Sequence, residues 1–151
     1  MSAEIDAVRA IEALVVDYAV GVDARDYDEV ARLFADDGVL RARRTSVQSG
    51  DLLWQLDGRA EIVARLQGLD RFARTFHQIA QHTIAIDGDR ATGLAYCTAH
   101  HLTRTGDETS LYVMYIRYED TYVIDDGRWR FADRLLWIDM EETRTGTMGP
   151  T

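Results

Sequence analysis

From Phe72 onward the chain reads as four long extended runs, and this half most constrains what it can fold into. Phe72 to Ile86, Ala91 to Thr103, Ser110 to Ile124 and Arg128 to Met140 are rich in β-branched and aromatic residues. Asp87-Gly88-Asp89, Thr105-Gly106-Asp107 and Asp125-Asp126-Gly127 separate them. Such Asp/Gly clusters supply the positive φ that tight hairpins need, so the runs predict three successive antiparallel connections.

The first half has a different period. Ala7, Ile11, Leu14, Val15, Tyr18 and Val22 recur at steps of three and four, which predicts an amphipathic helix from about Glu4 to Val22. Asp26 and Glu29 form a D-x-x-E start signal for a second helix carrying Val30, Leu33 and Phe34, and Asp36-Asp37-Gly38 ends it. Gly38 to Arg44 alternates as a strand. Thr45 to Asp57 is polar around Gly50 and reads as a loop, with the triplet Leu52, Leu53 and Trp54 placed to cover a pocket. Gly58-Arg59 opens a third helix that buries Ile62, Val63 and Leu66.

Helices ahead of an antiparallel sheet make an α+β fold. To bury the stripe of the first helix the sheet must curl around it. The expected architecture is a cone-shaped α+β barrel, three N-terminal helices packed in a curved, mostly antiparallel sheet. One domain over residues 1–151 is expected, with no repeat or linker and with the polar tail 142–151 loosely ordered or packed on a neighbouring subunit.

Composition narrows the partners. A net charge of -9 argues against nucleic acid, which needs a basic face. The cluster Arg41, Arg43 and Arg44 reads as a solvated strand edge, with a local anion site as the alternative. No stretch has the length and apolarity of a membrane span, and the first ten residues lack a signal-peptide core. The lone Cys97 forbids an intramolecular disulfide and fits a cytoplasmic protein; it reads as a small buried hydrophobe.

Several residues could carry chemistry. Asp23 lies between the first two helices. Asp26 is the better N-cap, so Asp23 has no evident solvated role. In Arg74-Thr75-Phe76-His77-Gln78-Ile79-Ala80-Gln81-His82, strand parity puts His77, Ile79 and Gln81 on one face and His82 on the other. An isolated histidine is more often a satisfied structural group than a functional one. His100 and His101 are adjacent, so at most one shares a face with His77. That spacing, without H-E-x-x-H, a Cys pair or an Asp-rich loop, gives no metal site. An inward arginine among Arg128, Arg130 and Arg134 would make an anion clamp. Tyr18 and Trp54 are among the aromatics that could line an apolar cavity.

These motifs together resemble the SnoaL-like family of the nuclear transport factor 2 superfamily. They are Gly21-Val22-Asp23, Phe34-Ala35-Asp36-Asp37-Gly38, Thr75-Phe76-His77, Tyr118-Glu119-Asp120-Thr121-Tyr122 and Trp129-Arg130-Phe131-Ala132-Asp133-Arg134. Closest in layout are the scytalone dehydratases, the hexachlorocyclohexane dehydrochlorinase and the bile-acid 7α-dehydratase. The resemblance implies that Asp23 orients His77, which takes a proton from the substrate. It implies an assisting histidine at His101, with His100 as the fallback, and an active-site arginine at Arg134.

It also implies a lyase or isomerase acting without a cofactor on a small hydrophobic, cyclic molecule, in a homo-oligomer of two or three subunits. Two alternatives stay open on the same fold. One is a non-catalytic binding or assembly subunit, as in the β subunits of aromatic-ring dioxygenases. The other is polyketide-cyclase or epoxide-hydrolase-like chemistry, which in the hydrolases needs paired aspartates.

Overall fold

The helix expected over residues 4–22 runs from Ser2 to Asp23 (α1) in the computed structural model, which describes residues 2–45 and 51–146. Ile11, Leu14, Val15, Tyr18 and Val22 are all buried, as their spacing requires. Each such side chain stabilises by about 1.5–3 kcal/mol when removed from water, so α1 is held by tertiary packing more than by propensity.

The second helix (α2, Tyr27–Arg32) begins where expected, with the Asp26 carboxylate accepting a hydrogen bond from the Glu29 N–H at 3.3 Å. It stops sooner than the sequence suggests. Phe34 and Ala35 already belong to the first strand (β1, Phe34–Arg44) and are buried there. The Phe131 N–H donates to the Leu33 carbonyl at 2.8 Å, and Phe34 pairs with Phe131. Burying Phe34 against Phe131 of the last strand, ring centroids 5.0 Å apart, outweighs one more helical turn. The register then slips between Phe34 and Val39, so Asp36-Asp37-Gly38 forms a bulge inside β1 instead of a helix end. A Cβ on Gly38 would sit 2.9 Å from the Ala35 carbonyl and 3.0 Å from that of Phe131, so only glycine allows this approach.

The expected loop over Thr45 to Asp57 is in part a strand (β2, Asp51–Asp57), antiparallel to β1 at the sheet edge. Gly50 lies outside the described residues. Ala42 pairs with Trp54 and Arg43 with Leu52, so Leu53 is the extra residue of a bulge. That bulge breaks the two-residue period and hides the strand from a pattern reading.

The third helix (α3, Arg59–Gln67) buries Ile62 and Leu66 and leads through a 3-10 turn, Gly68–Arg71, to the meander. The four long runs are β3 (Arg74–Asp87), β4 (Arg90–Thr105), β5 (Glu108–Asp125) and β6 (Arg128–Thr145). The three hairpins fall where expected. Gly88, Gly106, Asp126 and Gly127 hold positive φ at the turns. The tail is not loose at its start. Thr145 pairs with Ser110, while residues 147–151 lie outside the described residues.

The sheet has six strands in the order β2-β1-β6-β5-β4-β3. All neighbours are antiparallel except β1 and β6, so the sheet is mixed and unclosed. Register shifts in the β1–β2, β1–β6, β3–β4 and β5–β6 ladders curl it around α1 into a cone. No helix among the described residues is long and apolar enough to cross a membrane.

Candidate functional site

Inside the cone lies a cavity of about 310 Å³ with largely apolar walls. Tyr18 and Val22 come from α1, and Leu53 and Trp54 from β2. Phe72 lies beyond the 3-10 turn. His77, His101, Met114, Tyr118 and Leu136 come from the meander. The bulge at Leu53 lets two successive apolar residues reach the cavity from one edge strand, so the Leu53-Trp54 pair does border it.

Asp23 is the last residue of α1, where the helix dipole gives a carboxylate no help. Its partners come from β3 instead. Oδ1 accepts from the Thr75 hydroxyl at 2.9 Å and lies 2.7 Å from the His77 Nδ1, while Oδ2 accepts from the His77 backbone N–H at 2.8 Å. Burial alone would raise the Asp23 pKa. The His77 ring and backbone donors, with Thr75 behind them, outweigh it and hold the carboxyl below its ordinary value. Asp23 is therefore ionised, and its acceptor oxygen places the imidazole proton on Nδ1. In the neutral ring with its proton on Nδ1, Nε2 would carry the lone pair, and the ring borders the cavity.

β4 settles which adjacent histidine faces in. Thr75 pairs with His101 and His77 with Ala99, so His101 shares the inner face. His101 is buried, 5.7 Å from the His77 ring centroid and 4.8 Å from that of Phe72. Its Nδ1 has no partner among the described residues. Burial first, and then the neighbouring His77, push its pKa down to about 4, so it is neutral near pH 7. His100 lies on the other face beside Phe76, its Nδ1 3.3 Å from the Phe76 carbonyl oxygen.

His82 departs from its expected place. The β3–β4 register shifts between Ile79 and His82, which reverses the parity. His82 then sits opposite Ala95 on the inner face, with Nε2 3.4 Å from the Tyr122 hydroxyl.

Arg134 also differs from expectation. It points inward but does not border the cavity. Its Nε lies 3.0 Å from Asp120 Oδ1 and its Nη2 3.1 Å from Oδ2, with both side chains fully buried. The guanidinium carbon sits 4.2 Å from the Tyr18 ring centroid and 3.9 Å from that of Tyr118, and these two rings separate it from the cavity. Tyr18 itself is a wall residue, and burial pushes its phenol up to about 12, so it stays protonated. In the sequence Asp120 stands only within the motif Tyr118-Glu119-Asp120-Thr121-Tyr122, with no role of its own. Its signal is the β5–β6 register, which pairs it directly with Arg134.

Nothing in the sequence singles out Arg65, Arg71 and Glu141, and Arg44, expected at a solvated strand edge, also lines the cavity. Arg65 lies over the Trp54 ring and Arg71 over the Phe72 ring, at 4.8 and 4.6 Å from the centroids. Both line the cavity, as do Arg44, Tyr112 and Glu141. Arg25, held at positive φ, donates to the carbonyls of Leu69 and Phe72 at 2.6 and 2.9 Å and so fixes the turn that carries Arg71. Cys97 is buried in β4, as read, and burial raises its thiol to about 11. Among the described residues, no group of three His, Cys, Asp or Glu side chains converges to hold a metal ion.

The fold is shared with known proteins. The chain superposes on a protein from Novosphingobium aromaticivorans assigned as a scytalone dehydratase, with a TM-score of 0.77 and 26% identity over 99% of this chain and 94% of that one. It is similar in fold to the hexachlorocyclohexane dehydrochlorinase of Novosphingobium barchaimii, with a TM-score of 0.77 and 18% identity over 98% and 97% of the two chains. It is also similar to a Novosphingobium aromaticivorans protein assigned as the β subunit of an aromatic-ring-hydroxylating dioxygenase, with a TM-score of 0.74 and 20% identity over 93% of each chain. The family model for the SnoaL-like domain matches residues 3–135, and the chain accordingly belongs to the SnoaL-like family of the NTF2-like superfamily.

Proposed function

We propose that this protein is a cofactor-independent lyase or isomerase in which His77, oriented by Asp23, removes a proton from carbon in a small hydrophobic, cyclic substrate. The observation that carries the reading is the 2.7 Å contact between Asp23 Oδ1 and His77 Nδ1 on a ring that borders an apolar cavity. A neutral imidazole ordinarily titrates near 6.5, close to the working range of a general base. The carboxylate fixes its tautomer and stabilises the imidazolium formed as the proton moves.

In an elimination, the electron pair of the broken C–H bond forms the new double bond, and the β-substituent departs with its own electron pair. The leaving group would be a hydroxyl, departing as water with the proton that His77 took from carbon, or a halide, with that proton passing from His77 to solvent. Protonated Tyr18 and neutral His101 are among the polar groups on the same walls able to hydrogen-bond the leaving group. In an isomerisation, the proton returns from His77 to a different carbon. Neither route requires a redox group. The proposal extends to a cytoplasmic, single-domain protein working as a dimer or trimer.

A test is incubation in D₂O with a panel of cyclic β-hydroxy and β-halo ketones. Wild type should exchange the acidic C–H for deuterium or release water or halide, and His77→Ala should do neither while keeping its circular dichroism spectrum. Full turnover by His77→Ala would overturn the reading.

One observation favours a second reading, an assembly subunit without chemistry of its own: the likeness to the dioxygenase β subunit. A stable complex with a second polypeptide in a pull-down from the native host, with no exchange or elimination by the isolated chain, would support it. Epoxide-hydrolase-like chemistry has less support. The fully buried carboxylate, Asp120, is held by Arg134 and by the Tyr122 hydroxyl at 2.9 Å, and it does not line the cavity.

A further inference from the structure

The charge on the cavity rim runs against the charge of the chain. The protein carries a net charge of -9, yet the ionised side chains lining the cavity are the arginines Arg44, Arg65 and Arg71 and the single carboxylate of Glu141. That carboxylate is already committed. Arg44 Nη2 lies 2.8 Å from it, and the Tyr112 hydroxyl donates to it. Arg65 and Arg71 are different. Each rests over one aromatic ring, Trp54 or Phe72, and neither has a carboxylate partner among the described residues.

Both belong to the short segment of α3 and the 3-10 turn that roofs the cone. Arg25 bonds to the carbonyls of Leu69 and Phe72 and Tyr27 to Asp70, so the segment carrying Arg71 is braced. Other arginines meet acids, as with Arg41 and Asp133, Arg59 and Asp36, and Arg117 and Asp139, and those that do not among the described residues, such as Arg9, Arg74, Arg90, Arg104 and Arg128, do not line this cavity. Two guanidiniums left without an acid at the mouth of an apolar cavity are poised for an anion supplied from outside. Ring stacking fixes each planar fork, so little freedom is lost on binding. Low-dielectric walls focus the field of such charges toward the opening.

Resting on the reading of this cavity as a substrate site, we infer that the substrate is an acid: a hydrophobic ring system bearing a carboxylate. The ring fills the apolar interior beside His77, and the carboxylate stays at the mouth against Arg65 and Arg71. These two are binding residues that choose between acids and neutral molecules, and they take no part in proton transfer.

The test uses 2-naphthoate and its neutral isostere 2-naphthamide as probes, followed by isothermal titration at low salt. The shifts of the His77 and His101 ring protons in NMR report occupancy of the cavity. Wild type should bind the acid about tenfold more tightly than the amide, the scale of two partly exposed ion pairs. The double variant R65Q/R71Q should bring the ratio close to one. Added salt should mimic the double variant. A wild-type ratio near one, or a ratio that survives in R65Q/R71Q, would overturn the inference. His77→Ala separates it from the proposed reaction: the acid preference should persist there although turnover is lost. An active His77→Ala would sink the reaction and leave the preference standing.

Discussion

Asp23 holds His77 by both ring and backbone: one carboxylate oxygen lies 2.7 Å from the imidazole Nδ1 and the other 2.8 Å from the backbone nitrogen. The contact joins the end of α1 to the start of β3, so side-chain orientation and strand position are set together. Only a carboxylate at residue 23 satisfies both donors at once.

Asp23→Asn keeps the shape but offers one acceptor oxygen and an NH₂ group. The imidazole would then be free to place its proton on Nε2, which removes the base. Turnover should fall by about 10²- to 10⁴-fold, the range for loss of general base catalysis. Thr75→Val removes one supporting bond, should cost less, and should act on kcat more than on KM. Steady-state kinetics on any substrate found in the exchange panel checks both.

His101 sets a pH limit on the fold. Its folded pKa is lowered to about 4, while the unfolded chain takes up the proton near 6.5. Between these values the unfolded state binds more protons, so stability is full above about pH 6.5 and is lost as pH falls toward 4. The loss should be on the order of 3 kcal/mol at the acid end. The lowered Asp23 pKa has the same sign, but its loss comes below the ordinary carboxylate range. Urea unfolding at pH 7.5, 5.5 and 4.5 should show the decline, and His101→Phe should flatten it.

The buried pair Arg134–Asp120 should behave as a structural element of the cone floor. Removing one partner, as in Asp120→Ala, leaves a guanidinium buried under Tyr18 and Tyr118 and should cost about 3–5 kcal/mol. The double variant Arg134→Met with Asp120→Leu should recover most of that loss. Thermal and urea unfolding of the three proteins give the comparison.

Trp54 closes the wall beside the edge strand. Trp54→Ala should enlarge the opening and free Arg65 from its ring. KM should rise by about tenfold with kcat changed less, because the site loses binding area that is uniform along the reaction. A kcat collapse with KM intact would contradict this placement.

Much of this arrangement was legible in the residues. The stripe on α1 and the turn clusters at Gly88, Gly106 and Gly127 gave the helix and the hairpins, because periodicity and positive φ are local properties. What escaped depends on bulges and on partners far along the chain. Leu53 is an extra residue in β2, so the strand lacks alternation. The shift before His82 reverses its face. Phe34 leaves the helical pattern to pair with Phe131, and Arg134 finds Asp120 through the β5–β6 register. Nothing in the local pattern marks Arg65 and Arg71, and only the fold brings them to the cavity.

The central claim is that His77 is a base inside an apolar cavity, and a substrate-independent reaction tests it most directly. The ring-opening elimination of 5-nitrobenzisoxazole needs only removal of one C–H proton, with the N–O bond breaking as the nitrile forms, and the phenolate product is coloured. Wild type should accelerate it about 10²-fold or more over His77→Ala, and Asp23→Asn should fall close to the alanine variant. Equal rates for wild type and His77→Ala would contradict the account.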